Sequence, residues 1–483
     1  MTEKITNDDI NYFPSIEGNN EELLNVLIKT SELLCKWYSE THRRSPLPFN
    51  KKFRVSYPLK NGSDVKNLLD EIEDLVYTSF CPSHPGSLAH LDPPPLTISI
   101  IGDLIASGLN NNLLAEELSP SISKLENDLC EWLSKKIGFK KNSGGIAASG
   151  GTLNNLNALI TAKYHSGLTF NNETVLILSE DAHVSFKKCA KILGIEDRNI
   201  CVVNTDKNGS MHIPSFIKLI NSIISSGKKI FAVVATFGTT FRGALDPINE
   251  IGNLCKDKNI WFHIDASIGG IFLVADKTFD NITDINISNA NSITINPQKL
   301  LGIAKTSSLL LVSDINTLKN TFETGLPYID SPDDVINRGE LGVQGSRPAE
   351  VIKLWLGLRF LGMEGIENIL NESLLKKSIF IEKLDENKFE IFSGPLHIIS
   401  FLPKKMNTDQ SNKWTLEAKN SLMERNYMIS RPLYKGRNYL RIVFGNYNTT
   451  NLHISDLADF LNNFNTTTLH VSELTSLINN FKA

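Results

Sequence analysis

The chain reads as an α/β protein organised on a mainly parallel sheet with helices on both faces. Three observations predict this. Between residues 145 and 264, short apolar runs of strand length alternate with helical stretches, the rhythm of parallel strands joined by crossover helices. The first ninety or so residues carry amphipathic helices without strands, and the residues beyond 350 mix strands and helices on a smaller scale. The expected division is an N-terminal helical arm (1–95), a large domain (96–350) and a small C-terminal α+β domain (351–483).

In the arm, Leu23, Leu24, Val26, Leu27, Leu33, Leu34 and Trp37 predict a helix over 21–40, and a second is expected over 64–77. Two such helices bury little by themselves, so the arm is expected to pack along the main domain or on a partner subunit. Residues 83–95, proline-rich and carrying His84 and His90, read either as a surface linker or as a rigid loop lining a pocket. Ser119 as N-cap, Pro120 at the first helical position and Gly138 as stop bound a helix whose buried face is expected to be Ile122, Leu125, Leu129, Trp132, Leu133 and Ile137. Strands are expected at 145–148, 174–178, 200–203, 230–235, 260–264, 292–295 and 307–312. A helix over 351–362 then leads to strands at 389–392, 397–401 and 439–444, covered by helices at 411–424 and 455–464.

With 483 residues, 41% of them hydrophobic and 21% charged, the chain can bury more than one core. Lys and Arg number 49 against 53 Asp and Glu, a net charge of −4 without a basic block, so neither nucleic acid nor an anionic membrane is an expected partner. Six scattered cysteines show no Cys-x-x-Cys and no zinc-ligand spacing; no metal is expected, and reduced thiols suit a cytoplasmic protein. No run is long enough to span a bilayer, and residues 1–20 have no apolar export segment.

Ligands of open parallel sheets bind at the carboxyl ends of the strands, so the residues following each strand are where chemistry is expected. Lys299 follows the run 292–295 and an Asn-Pro step, in a neighbourhood free of other charges. Desolvation there disfavours the ammonium form and frees the amine, a nucleophile toward carbonyl compounds. A lone lysine in such a place is more often a strand-end residue with its head in water; its company changes the reading. Ser149-Gly150-Gly151-Thr152 links the first strand to a helix, so backbone amides and the helix dipole form a phosphate cup. Its spacing is neither the dinucleotide fingerprint nor the Walker loop, which argues against NAD and ATP. His183 follows the second strand, and the small, hydroxyl-bearing segment ending in Thr240 follows the fourth. Asp265 closes the fifth strand, where an ionised carboxylate is costly without a cation such as a protonated pyridine nitrogen, and Ser267 and the small residues after it leave room for a ring.

Cup, histidine, aspartate and lysine in this order resemble the group II amino acid decarboxylases, and the likeness runs from about Ser83 to the C-terminus. The resemblance implies a fold-type I, pyridoxal phosphate-dependent transferase-like large domain with a small cap. It also implies pyridoxal 5'-phosphate as cofactor, a homodimer, and conversion of an L-amino acid to its amine and carbon dioxide. Carried over by position, it implies that Gly151, Thr152 and Asn296 hold the phosphate, that His183 stacks on the ring, that Asp265 keeps the ring nitrogen protonated and that Lys299 carries the cofactor. Thr240 and Ser267 match positions flanking the ring, and Gly345-Ser346-Arg347-Pro348 looks like the family's arginine-containing passage into the small domain.

Two departures stand out: Gln298 occupies a position that is usually His, and Leu153 one that is commonly acidic. A mobile-loop tyrosine donates a proton in the family; Tyr328 is the only tyrosine between Lys299 and Arg347 and is the candidate. The segment with His84 and His90 matches the family's side-chain pocket, and Ala89-His90-Leu91-Asp92-Pro93-Pro94 looks more like members acting on diaminobutyrate or acidic amino acids than on aromatic ones. An aldehyde-forming or transaminating enzyme on the same fold is the alternative, and a non-catalytic relative is another.

Overall fold

The computed structural model describes residues 13–16, 18–48, 53–58, 60–168, 173–279, 282–325, 329 and 336–465. The arm holds α1 (Glu21–Ser39) and α2 (Val65–Thr78), with the Asp64 carboxylate accepting from the Asn67 amide at 2.8 Å as an N-cap. The two helices touch each other, yet Trp37 is the only buried side chain described on either, and Leu24, Ile28, Leu68 and Leu75 stay exposed. Next come α3 (Thr97–Leu109) and α4 (Pro120–Lys136). Trp132, expected on the buried face of α4, is 42% exposed, and Glu126 is fully buried instead. Positions 122, 126, 129 and 133 follow the helical repeat onto one stripe, and the indole lies a quarter-turn off it. A glutamate is tolerated on that stripe because Arg347 grips it through two hydrogen bonds of 2.6 Å and Arg338 adds a third contact at 3.1 Å.

The large sheet is assembled from β1 (Gly144–Ala148), α5 (Gly151–Ser166), β2 (Thr174–Ser179), α6 (Ser185–Ile192), β3 (Ile200–Val203), α7 (Ile213–Ser225), β4 (Lys229–Thr236), α8 (Ile248–Asp257), β5 (Trp261–Ala266), β6 (Ser292–Ile295), α9 (Pro297–Leu300), β7 (Ser308–Val312) and α10 (Asn316–Phe322). Strand order is β1-β7-β6-β5-β4-β2-β3, and β7 alone runs against its neighbours. Both faces are covered, which the alternation along β2 makes explicit: Val175 and Ile177 join the core containing Phe216 and Ile251, whereas Leu176 and Leu178 join the one containing Leu159 and Phe186. Register aligns Asp265 with Thr236 on one side and Thr294 on the other, so the last residues of β4, β5 and β6 reach one edge together.

α11 (Val351–Lys383) continues well past Gly362, where the sequence suggested an end. Gly362 takes φ 61°, breaking the helix geometry, but Ile366, Leu370 and Phe380 carry its apolar stripe onward into the cores. The small region follows with β8 (Phe389–Ser393), β9 (Ile398–Pro403), α12 (Thr408–Glu424), the hairpin β10 (Leu433–Tyr434) and β11 (Arg437–Asn438), β12 (Leu440–Val443) and α13 (Asn451–Asn463). Its antiparallel sheet, ordered β12-β9-β8, has a core of its own around Phe401, Phe444 and Leu457. Leu88 joins that core and Ser87 bridges Met428, which threads residues 83–95 between the small sheet and the large one. Among the described residues no helix is long and apolar enough to cross a membrane.

Candidate active site

A cavity of about 300 Å³ opens at the carboxyl ends of β4, β5 and β6, and its wall includes Gly151, Thr152, His183, Thr240, Asp265, Ser267, Asn296 and Lys299. All eight residues singled out for cofactor contact therefore meet at one place, contributed by five separate strand ends and turns.

The cup begins where β1 stops. Gly150 takes φ +118°, a conformation that L side chains rarely adopt, and turns the chain into α5 so that its first amides face outward. A Cβ on Gly151 would lie 2.9 Å from both Asn296 Nδ2 and Ser267 Oγ, so the absence of a side chain lets three segments converge. Asn154 Nδ2 donates to Ser308 Oγ at 2.7 Å and that hydroxyl donates to Asn296 Oδ1 at 2.6 Å, which leaves the Asn296 amide hydrogens on the cup side. The Gln298 carbonyl accepts the Ser307 amide at 2.6 Å, leaving its NH₂ as a donor at the cavity wall.

Lys299 sits on α9, one turn beyond β6. Burial pulls its amine below the ordinary lysine value; Asp265 opposes the shift and the Arg441 guanidinium reinforces it. For Asp265, burial pushes upward, but Lys299, Ser267 and His263 outweigh it and hold the carboxyl below the usual range. Its Oδ1 accepts the Ser267 amide at 3.1 Å and its Oδ2 accepts Asn155 Nδ2 at 3.1 Å. Burial likewise lowers His183, whose Nδ1 faces Ser185 Oγ at 2.9 Å.

His84 and His90 lie elsewhere. His84 is buried away from the cavity wall, its Nδ1 accepting the Gly86 amide at 2.9 Å, and burial together with His453 lowers it to about 4. His90 is exposed and lines a cleft of about 820 Å³ that begins at Gln298 and contains the Asp92–Lys305 pair. Tyr328 lies outside the described residues.

Several residues at or beside the site were not singled out from the sequence. Asp181, also on the cavity wall, accepts from the Tyr434 hydroxyl at 3.1 Å, and Lys435 pairs with Glu180 at 2.5 Å, so the β10–β11 hairpin fastens the small sheet to the turn after β2. Arg441 donates to Thr240 O and Ala89 O, each at 2.8 Å, tying residues 83–95 to the ring-flanking turn. Asn155, on the cavity wall beside Asp265, is another. A readable signal existed for it: asparagines at 154, 155 and 157 in an otherwise apolar helix are costly unless each is hydrogen-bonded. Arg441, one charge in Leu440-Arg441-Ile442-Val443, was legible on the same ground.

A pyridine-containing phosphate ester fits these residues. The cup supplies donors for an anion, the carboxylate lies at the sheet, the depressed amine is close enough to sense it, and Thr236 Oγ1, buried at the wall, has no partner among the described residues. Such a fold and site define an enzyme working through a phosphorylated aldehyde cofactor on a fold-type I scaffold. Residues 46–401 match the family model described as the pyridoxal-dependent decarboxylase conserved domain. The chain is 28% identical over 412 residues to an aromatic-L-amino-acid decarboxylase of Bacillus atrophaeus, covering 83% of this chain and 85% of that one. It is 30% identical over 390 residues to an acidic amino acid decarboxylase of Xenopus tropicalis, covering 77% and 74%. The crystal structure of mouse CSAD superposes with a TM-score of 0.84 at 22% identity, covering 91% of this chain and 98% of that one. The chain thus belongs to the pyridoxal-dependent decarboxylase family, a group of carboxy-lyases that use pyridoxal 5'-phosphate.

Proposed function

We propose that this enzyme decarboxylates a polar L-amino acid with a second ionisable group, diaminobutyrate or an acidic amino acid, rather than an aromatic one. The observation that carries this is the cleft beyond Gln298, whose wall brings His90, Asp92, Asp103 and Lys305 together, charges of both signs where a substrate side chain would extend. Relatives named for aromatic and for acidic substrates are similarly distant, so the reading rests on the wall.

In this reading Gly151, Thr152 and Asn296 hold the phosphate, Thr240 and Ser267 flank the ring, and His183 covers it. When bound, pyridoxal phosphate supplies an electron-poor ring that accepts the electron pair left as carbon dioxide departs. Asp265, anionic in the fold, keeps a proton on the ring nitrogen, and Lys299, its amine freed by burial, provides the covalent anchor and accepts or returns protons there. Arg441, which donates to Thr240 O and Ala89 O, holds the turn that flanks the ring. Tyr328 stays the candidate for returning a proton to the α-carbon.

Two partner readings accompany this. The exposed apolar side chains of α1, α2 and α3, including Leu24, Leu68, Ile101 and Leu104, support a homodimer in which a second copy covers the arm. The free cysteines suit a reducing compartment such as the cytoplasm.

The deciding assay incubates purified, cofactor-loaded enzyme with 2,4-diaminobutyrate, aspartate, glutamate, tryptophan, tyrosine and phenylalanine, and measures amine, carbon dioxide and aldehyde. Amine from the charged substrates at the highest kcat/KM supports the reading. Preference for an aromatic substrate overturns it, and aldehyde in place of amine identifies the alternative chemistry.

A further inference from the structure

On the cavity wall, Asn155 connects two groups assigned to opposite duties. Its Nδ2 lies 3.1 Å from Asp265 Oδ2 and 3.1 Å from Ser185 Oγ, while its Oδ1 lies 3.2 Å from His263 Nε2. Beyond His263 the chain continues: Nδ1 lies 2.8 Å from Ser292 Oγ, which accepts the Trp261 indole N–H at 3.0 Å. Beyond Ser185, its hydroxyl lies 2.9 Å from His183 Nδ1, and its own backbone amide donates to that nitrogen at 3.2 Å. Asn155, His263 and Ser292 are all buried.

Burial lowers His263 to about 4, and with that imidazole neutral only one arrangement of hydrogens satisfies every link. An ionised carboxylate can only accept, so the Asn155 NH₂ must face Asp265 and its carbonyl must face His263. That carbonyl can only accept, so His263 carries its hydrogen on Nε2 and leaves Nδ1 for the Ser292 hydroxyl to donate to. On the other branch, the second Asn155 N–H occupies Ser185 Oγ, and the Ser185 hydroxyl donates to His183 Nδ1. That nitrogen already accepts an amide, so a proton placed there would oppose two other hydrogens; His183 is held neutral with its hydrogen on Nε2. Every dipole along both branches points the same way, and such alignment strengthens the terminal hydrogen bonds.

We propose that Asn155 is a positioning residue: through one side-chain amide it holds both the Asp265 carboxylate and the Nε2–H tautomer of His263, and its second N–H turns the Ser185 hydroxyl toward His183. The consequence for cofactor binding rests on the roles given to Asp265 and His183 above; the tautomers do not. The test therefore has two arms. In cofactor-free protein, NMR of the imidazole nitrogens should show Nε2–H for His183 and for His263, and Asn155→Ala should abolish that preference at His263. A wild-type protein with Nδ1–H at either histidine overturns the proposal whatever the cofactor does. In the second arm, pyridoxal phosphate is titrated into the apoprotein of wild type, Asn155→Ala, Asn155→Asp and Asn157→Ala. Asn157 is a buried asparagine of the same helix whose Oδ1 accepts the Val343 amide at 3.1 Å, and it controls for loss of packing. The dissociation constant should rise about tenfold or more in both Asn155 variants and stay near wild type in Asn157→Ala. Asp has the shape of Asn but cannot donate, so an Asn155→Asp protein that binds as tightly as wild type shows that only packing mattered. Wild-type tautomers as assigned, together with equally weak cofactor binding in all four proteins, would indict the assigned cofactor roles rather than the hydrogen-bond chain.

Discussion

Lys299 and His397 show how burial moves a base in the same direction to different ends. At Lys299 the lowered amine is held beside a carboxylate that it can use. Lys299→Ala should remove the borohydride-reducible covalent link to the cofactor and all turnover while leaving the fold intact; a variant whose cofactor is still fixed to the protein by borohydride would show that another amine does the work. At His397 burial has no such compensation, since neither ring nitrogen has a hydrogen-bond partner among the described residues and burial, with Lys377 and Lys299, lowers it to about 3. His84, at about 4, behaves similarly. For a base with a lowered folded pKa, the unfolded chain takes up the proton first, near 6.5. Stability is therefore complete above that pH and falls as the pH drops toward the folded values, by up to about 1.4 kcal/mol per pH unit for each histidine. Urea midpoints should fall steadily between about pH 7 and about pH 5, and His397→Phe should flatten that decline by roughly one proton's worth. An identical slope in the variant would mean that His397 is not neutral in the fold.

The element on which the site depends most is the start of α5, where a strand end, a left-handed glycine and two further loops crowd together. In Gly151→Ala the new methyl would sit 2.9 Å from Asn296 Nδ2 and Ser267 Oγ, forcing the cup open, while alanine favours the helix by about 1 kcal/mol. Cofactor affinity should thus drop about tenfold or more with no loss of thermal stability in the apoprotein. Fluorescence titration and a melting curve on the same preparation separate these effects; a destabilised apoprotein with unchanged affinity would refute the cup as described. α4 shows the converse, a helix whose apolar pattern misplaced one side chain. Trp132, expected in the core, is a rim residue, and the stripe position is filled by a glutamate whose partners lie more than two hundred residues away in sequence.

For the whole molecule, Glu126 joins α4 to the segment that leads into α11, and the β10–β11 hairpin joins the small sheet to the cavity wall. Glu126→Ala leaves two buried guanidinium groups without their carboxylate, which costs about 3–5 kcal/mol for a buried pair. The urea midpoint should shift to lower concentration accordingly, and activity measured well below that midpoint should be retained in large part because Glu126 is not on the cavity wall. A midpoint matching wild type would mean that Arg338 and Arg347 find other acceptors.

The sequence by itself determined the seven strands of the large sheet, most of the helices that cover it and the eight residues around the cavity, because each is a local event: a short apolar run, a helix start, and a glycine or polar residue placed at or just after the strand end. Parallel topology then brings strand ends to one edge, so chemistry read at separate turns converges without knowledge of any contact. The tertiary structure alone decided what depends on distant partners. It placed His84 in the packing and His90 in the outer cleft, since residues 83–95 are oriented by Met428 and Arg441 from the far end of the chain. It carried α11 through Gly362 because the apolar stripe resumes against two cores. And it joined Asn155, His263, Ser292 and Ser185 into one hydrogen-bond chain. Pattern reveals which residues are too polar to be buried alone, but only packing reveals which of them satisfy one another.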